Sequence, residues 1–141
     1  MSGTILVPID FEAPSQEALK TALSYAPKLG LSVVLVHVYT VPVFVYPGFS
    51  PIVTPGLPED IENTAKQALS KLAEDSGNLK TMLRMGDPAV EILGAVDELK
   101  PELVVMGTHG RKGFAHLILG SVAERVVRQC PVPVLTVRSA S

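Results

Sequence analysis

Five short runs rich in valine, isoleucine and leucine recur along the chain: TILVPI at 4–9, SVVLVHV at 32–38, LKTMLR at 79–84, ELVVMG at 102–107 and VPVLTV at 132–137. Their β-branched density predicts strands, with 79–84 the least decisive because leucine and methionine also suit helices. Between the runs the apolar positions fall three and four apart. In 14–30, Ala18, Leu19, Ala22, Leu23 and Ala26 share one side, and Gly30 supplies a stop. In 58–77, Ile61, Ala65, Ala68, Leu69 and Leu72 repeat the pattern after Pro58 and two acids, which favour the positive end of a helix dipole. A third helix is expected from Asp87-Pro88, an N-cap followed by proline at the first helical position. A fourth starts near Ser121 and runs through VAERVVRQ until Pro131 stops it.

Strand and helix thus alternate four times before a final strand, the order of an open five-stranded parallel sheet with helices on both faces, a Rossmann-like α/β fold. Strands this apolar fit burial on both sides. Ligands of such sheets bind beyond the carboxyl ends of the strands, at a switch in strand order. The loops at that edge are 8–13, 39–57, 85–87 and 107–120.

One segment complicates the pattern. From Leu29 to Pro58 there is no Asp, Glu, Lys or Arg, a run long enough on paper to cross a bilayer. Pro42, Pro47, Pro51, Pro55 and Pro58, with Gly48 and Gly56, interrupt any helix through it, so a buried strand followed by an irregular loop is expected instead of a membrane span. The loop Thr40–Leu57 is long for a compact domain and too apolar for a free linker. Val43, Phe44, Val45, Tyr46, Phe49, Ile52 and Val53 are expected to pack over the ligand edge, against a second subunit or against a protein partner.

Composition narrows the function classes. With 141 residues, 47% of them hydrophobic, the chain can bury one substantial core, so 1–141 is read as a single domain. Twelve Lys plus Arg against fourteen Asp plus Glu leave a formal charge of -2, which argues against a general binder of nucleic acid or anionic membrane. A lone cysteine, Cys130, leaves no intramolecular disulfide, and the opening MSGTILVPID lacks a signal-peptide pattern, so cytoplasmic residence is expected.

Against this background GTHGRKGFAHLILGS at 107–121 stands apart, holding four of the eleven glycines together with His109, Arg111 and Lys112. Gly107 and Gly110 would shape a turn and let amides approach a ligand. Gly120 and Ser121 open a helix, whose free N–H groups favour a phosphate. Arg111 and Lys112 either reinforce that anion or form a solvated loop face. The dinucleotide and Walker fingerprints are both missing, since DFEAPS follows the first strand and no GxxxxGK[ST] occurs. His109 has no partner at catalytic spacing. His37 reads as a packed, hydrogen-bonded histidine and Cys130 as a structural one.

The spacing of glycine, two residues, glycine, nine residues and Gly-Ser resembles the ATP-binding motif of the universal stress protein family. PIDF, HVY, RMGDPAVEIL, VVMGTHGR and CPVPVLTVR extend the resemblance over essentially the whole chain. It implies ATP, or another adenine nucleotide, with Mg or Mn bound through the phosphates. By the same resemblance, Gly107 and Gly110 lie near ribose and phosphates, and Gly120 and Ser121 hold the phosphates. Asp10 sits beside the adenosine, Val38 offers its backbone to adenine, and Met106 and Pro8 are apolar neighbours. Asp10 has plainer alternatives, as a cap of the first helix or the residue of an Asx turn. The family commonly dimerises through the last strand, here Val132–Val137, although Pro131 and Pro133 could instead protect that edge. The resulting expectation is a homodimeric, nucleotide-dependent stress sensor or regulator. The alternatives are a slow Mg-dependent ATPase and a protein-interaction scaffold with a vestigial nucleotide site.

Overall fold

The computed structural model describes residues 3–108 and 119–138. Strands β1 (Gly3–Pro8), β2 (Leu31–Tyr39), β3 (Lys80–Met85), β4 (Leu103–Gly107) and β5 (Val134–Val137) alternate with helices α1 (Ala13–Leu29), α2 (Leu57–Asp75), α3 (Pro88–Leu99) and α4 (Ser121–Gln129). Every pairing is parallel, in the order β3-β2-β1-β4-β5. This is the expected open five-stranded sheet.

The inner strands β2, β1 and β4 bury both faces, successive side chains pointing to opposite sides, whereas the edge strands β3 and β5 stay partly open. Ile5, Val7, Val33, Leu35 and Val105 pack with Ala18, Leu19 and Ala22 of α1 and with Leu69 and Ala73 of α2. Leu6, Val34, Val36 and Val104 face the other way, onto Ala95 and Val96 of α3. Met106 closes that second layer with Ile92, Ala123 and Val126. Each fully buried Leu or Ile contributes roughly 1.5–3 kcal/mol relative to exposure.

The element ends differ from expectation where backbone chemistry intervenes. β5 starts at Val134 and not at Val132, because Pro133 has no N–H to give and only its carbonyl is used, by the Val104 N–H at 3.0 Å. β1 ends at Pro8, leaving Ile9 and Asp10 beyond the strand, and β3 takes in Met85. α1 stops as expected at Gly30, which closes it at φ 70. In α2 the buried stripe is Ala65, Leu69 and Ala73, and Ala68 is exposed on the flank of that four-residue spacing. Leu57 is the first residue of α2, so the loop is 40–56. It is not structureless: Phe44 and Ile52 form an antiparallel bridge with two 2.8 Å hydrogen bonds. Its large side chains are nonetheless open, Val45 at 70% and Phe49 at 72%. No helix among the described residues is long and apolar enough to cross a membrane.

Candidate functional site

β1 pairs with β2 along its whole length but with β4 only at Ile5 and Leu6. The sheet therefore opens between β1 and β4 toward their carboxyl ends. That gap is the switch point of the strand order, where ligands of open α/β sheets bind. Pro8 lies on the β4 side of β1 and has no N–H with which to close it.

A cleft of about 590 Å³ occupies this position, within the range typical of small-molecule sites. Pro8, Ile9, Asp10 and Glu12 line it from the β1–α1 connection, with Pro14 and Ser15 from α1 and Val36 and Val38 from β2. Pro88 and Ile92 of α3, Met106, Gly107 and Thr108 at the end of β4, and Gly120–Ala123 at the start of α4 complete it. The structure thus brings together seven of the residues singled out by sequence: Pro8, Asp10, Val38, Met106, Gly107, Gly120 and Ser121. Gly110, His109, Arg111 and Lys112 lie outside the described residues. The charged residues among the described lining are Asp10 and Glu12.

Local hydrogen bonds fix the β1–α1 connection. Asp10 Oδ1 accepts from the Glu12 N–H at 2.9 Å, so Asp10 does form an Asx turn, and its Oδ2 has no partner among the described residues. The Asp10 N–H donates to Ser15 Oγ at 3.3 Å, and that buried hydroxyl donates to the Glu12 carbonyl at 3.0 Å. Phe11 takes a left-handed φ of 66 to make the turn. Ser15 and the buried Thr108 escaped sequence reasoning, because a Ser in a helix start and a Thr after a strand carry no spacing signal of their own.

The two motif glycines among the described residues, Gly107 and Gly120, serve different ends. A Cβ on Gly107 would stand 2.6–2.7 Å from the backbone carbon and oxygen and the Cβ of Pro14, so the missing side chain is what lets α1 close on β4. Gly120 instead has an ordinary extended backbone, φ -73 and ψ 169. Its N–H is already given to the Thr108 carbonyl, and its carbonyl accepts the Glu124 N–H at 2.9 Å. Gly120 is therefore the N-cap of α4, with no side chain capping the helix. The N–H groups of Ser121, Val122 and Ala123 have no partner within the helix, and all three residues line the cleft. α3 is the contrast: Asp87 caps it through the Val90 N–H at 3.0 Å and also meets Arg125 of α4 at 3.3 Å.

Opposite α4, the ladder between β1 and β2 breaks off. Ile9 N–H still reaches the Val36 carbonyl at 2.8 Å, and continuing the Pro8–Val36 register would bring the Val38 N–H to the Ile9 carbonyl. No such bond forms among the described residues. Alternate peptide groups of a strand face the same neighbour, so both the N–H and the carbonyl of Val38 face the side β1 has left. His37 is half-buried, as its place in an apolar strand suggested, with Nδ1 2.6 Å from the Ile9 carbonyl. Cys130 is half-buried, packed against the core layer beneath α3 and α4.

Among the described residues, the titrating groups that depart from their ordinary values lie away from this cleft. The hydrogen bond that Arg84 donates to Glu91, aided by the one it donates to Glu98, outweighs burial and holds Arg84 above the usual arginine value. Burial, then the charge of Glu62, raises the Tyr39 phenol.

The profile of the universal stress protein family matches residues 1–138. A universal stress protein of Methanocaldococcus jannaschii is 35% identical over 138 residues, covering 95% of this chain and 81% of its own length. Another, from Thermus aquaticus, is 34% identical over 144 residues, covering 98% of this chain and 100% of its own. Among solved structures, UspA from Lactobacillus plantarum superposes with a TM-score of 0.78 at 24% identity, covering 98% of this chain and 99% of that one. A universal stress protein solved in complex with cAMP superposes at 0.68 with 21% identity, covering 98% of each. At those identities the two structures establish the fold alone.

Proposed function

The chain belongs to the universal stress protein family, and from that premise we propose that it binds an adenine nucleotide, ATP, in the β1/β4 cleft and acts as a homodimeric, nucleotide-dependent regulator. The observation that carries this reading is the pairing, across one cleft, of an uncapped helix N-terminus with a strand-end peptide whose donor and acceptor both face inward. The first suits phosphate, since free N–H groups and the helix dipole both favour negative charge. The second suits the edge of adenine, which presents an acceptor beside a donor. Val36, Val38, Ile92 and Met106 supply apolar walls for the base. Asp10 Oδ2, without a partner among the described residues, suits a ribose hydroxyl. A relative's complex with cAMP supports an adenine ligand.

In this proposal Ser121–Ala123 hold the phosphates, and magnesium or manganese enters through phosphate oxygens. Titration calorimetry with ATP and magnesium tests it. Saturable binding by the wild-type chain that Gly120→Val abolishes is the expected result; equal binding by the variant would remove the phosphate assignment.

A second reading rests on the 40–56 arm, which exposes Phe44, Tyr46 and Phe49 and contributes nothing to the cleft lining. It proposes protein contact through the arm. Capture of a partner that survives Gly120→Val but fails when those three residues become serine would favour it.

A further inference from the structure

The Ile9 carbonyl is the acceptor that the β1–β2 ladder would offer to the Val38 N–H, yet a side chain holds it: His37 Nδ1 approaches to 2.6 Å. A carbonyl has no proton to give, so Nδ1 must donate, and the ring carries its proton on Nδ1. The Phe11 ring packs on the imidazole with centroids 4.7 Å apart and planes at 57°, which fixes the ring against the turn containing Asp10. Ile9 itself is buried, so its carbonyl needs a donor from within the protein.

We infer that His37 is a positioning residue for the nucleotide site: by occupying the Ile9 carbonyl it keeps the Val38 N–H out of the strand ladder and available to a ligand. The inference rests on the adenine-nucleotide reading for its ligand, but the hydrogen-bond exchange it describes belongs to the unliganded chain. Without the imidazole, the Ile9 carbonyl is the acceptor nearest in register to Val38. The ladder then extends by one bond and consumes the donor that faces the cleft. His37 also ties the Asp10 turn to β2 through Phe11, so one side chain sets both sides of the proposed adenosine position.

The test uses the full-length chain labelled with ¹⁵N. Long-range ¹H–¹⁵N spectra of wild type should show His37 protonated at Nδ1, and amide exchange at Val38 should be at least about tenfold slower in His37→Leu than in wild type. In parallel, ATP affinity should fall about tenfold in His37→Leu, the loss of roughly one hydrogen bond. His37→Asn, whose amide nitrogen sits where Nδ1 does, should restore affinity to within about threefold of wild type. That rescue separates positioning from simple packing. Protonation at Nε2 alone, equal Val38 exchange in wild type and His37→Leu, or unchanged affinity in His37→Leu would overturn the inference. Should His37→Leu not fold, the wild-type tautomer and the His37→Asn affinity decide it. Should wild type bind no adenine nucleotide while the tautomer and the Val38 exchange come out as expected, the nucleotide reading fails and the role of His37 in the ladder stands.

Discussion

A single methyl group separates Gly107 from alanine, and the structure leaves no room for it. The added Cβ would press on the Pro14 backbone, which cannot swing aside as a flexible side chain can. Gly107→Ala should destabilise the fold by about 1–3 kcal/mol, the usual cost of overpacking, seen as a lower urea midpoint with an unchanged slope. Gly120 is the opposite case. Its φ of -73 accepts a side chain without strain, so Gly120→Val should change stability by less than about 1 kcal/mol while removing ATP binding. Both glycines were visible in the sequence as a spacing, but the reason for each was not. Gly107 answers to Pro14, which is remote in the chain, and no local pattern reports such a contact. The same limit hid Ser15, and it left Asp10 open among a helix cap, an Asx turn and a ligand contact; the N-cap of α1 is Glu12. The turn is now seen, and the other carboxylate oxygen has no partner among the described residues.

At the scale of elements, α4 offers its first N–H groups to the cleft without a capping side chain, and this can be tested without disturbing the helix. Proline is favoured at a first helical position, and the extended Gly120 before it is compatible with proline. Ser121→Pro should therefore keep the helix, measured by circular dichroism, while weakening ATP by about tenfold through loss of the Ser121 donors. The edge strand β5 gives a second test. Pro133 and Val137 turn their carbonyls to β4, so the N–H groups of Val134 and Thr136 face the free edge. If the proposed homodimer pairs that edge, Thr136→Pro should yield monomers by sedimentation velocity, with the sheet intact. Strand and helix order was legible throughout because valine-rich runs and three-four spacing are local signals. Strand ends were not, since β1 and β5 begin or end where prolines and a side-chain hydrogen bond replace the ladder. Ala68 was misplaced because a stripe spaced by four drifts around the helix, and only packing shows which flank is covered.

The whole molecule separates two surfaces, the cleft at the β1/β4 opening and the uncharged arm of 40–56. Loop length and apolar content marked the arm as unusual, but sequence could not say whether it covered the nucleotide edge. In the structure none of its residues lines the cleft. Replacing Phe44, Tyr46 and Phe49 together by serine should therefore leave ATP affinity within about twofold, and stability close to wild type, because the three side chains are largely exposed already. The central claim is that the cleft binds an adenine nucleotide with its phosphates at the start of α4. Titration calorimetry of the purified chain with ATP and magnesium, beside Gly120→Val, addresses it most directly. One saturable site in wild type and none in the folded variant is the predicted result. Absence of binding in wild type, or equal binding in both, would contradict the account.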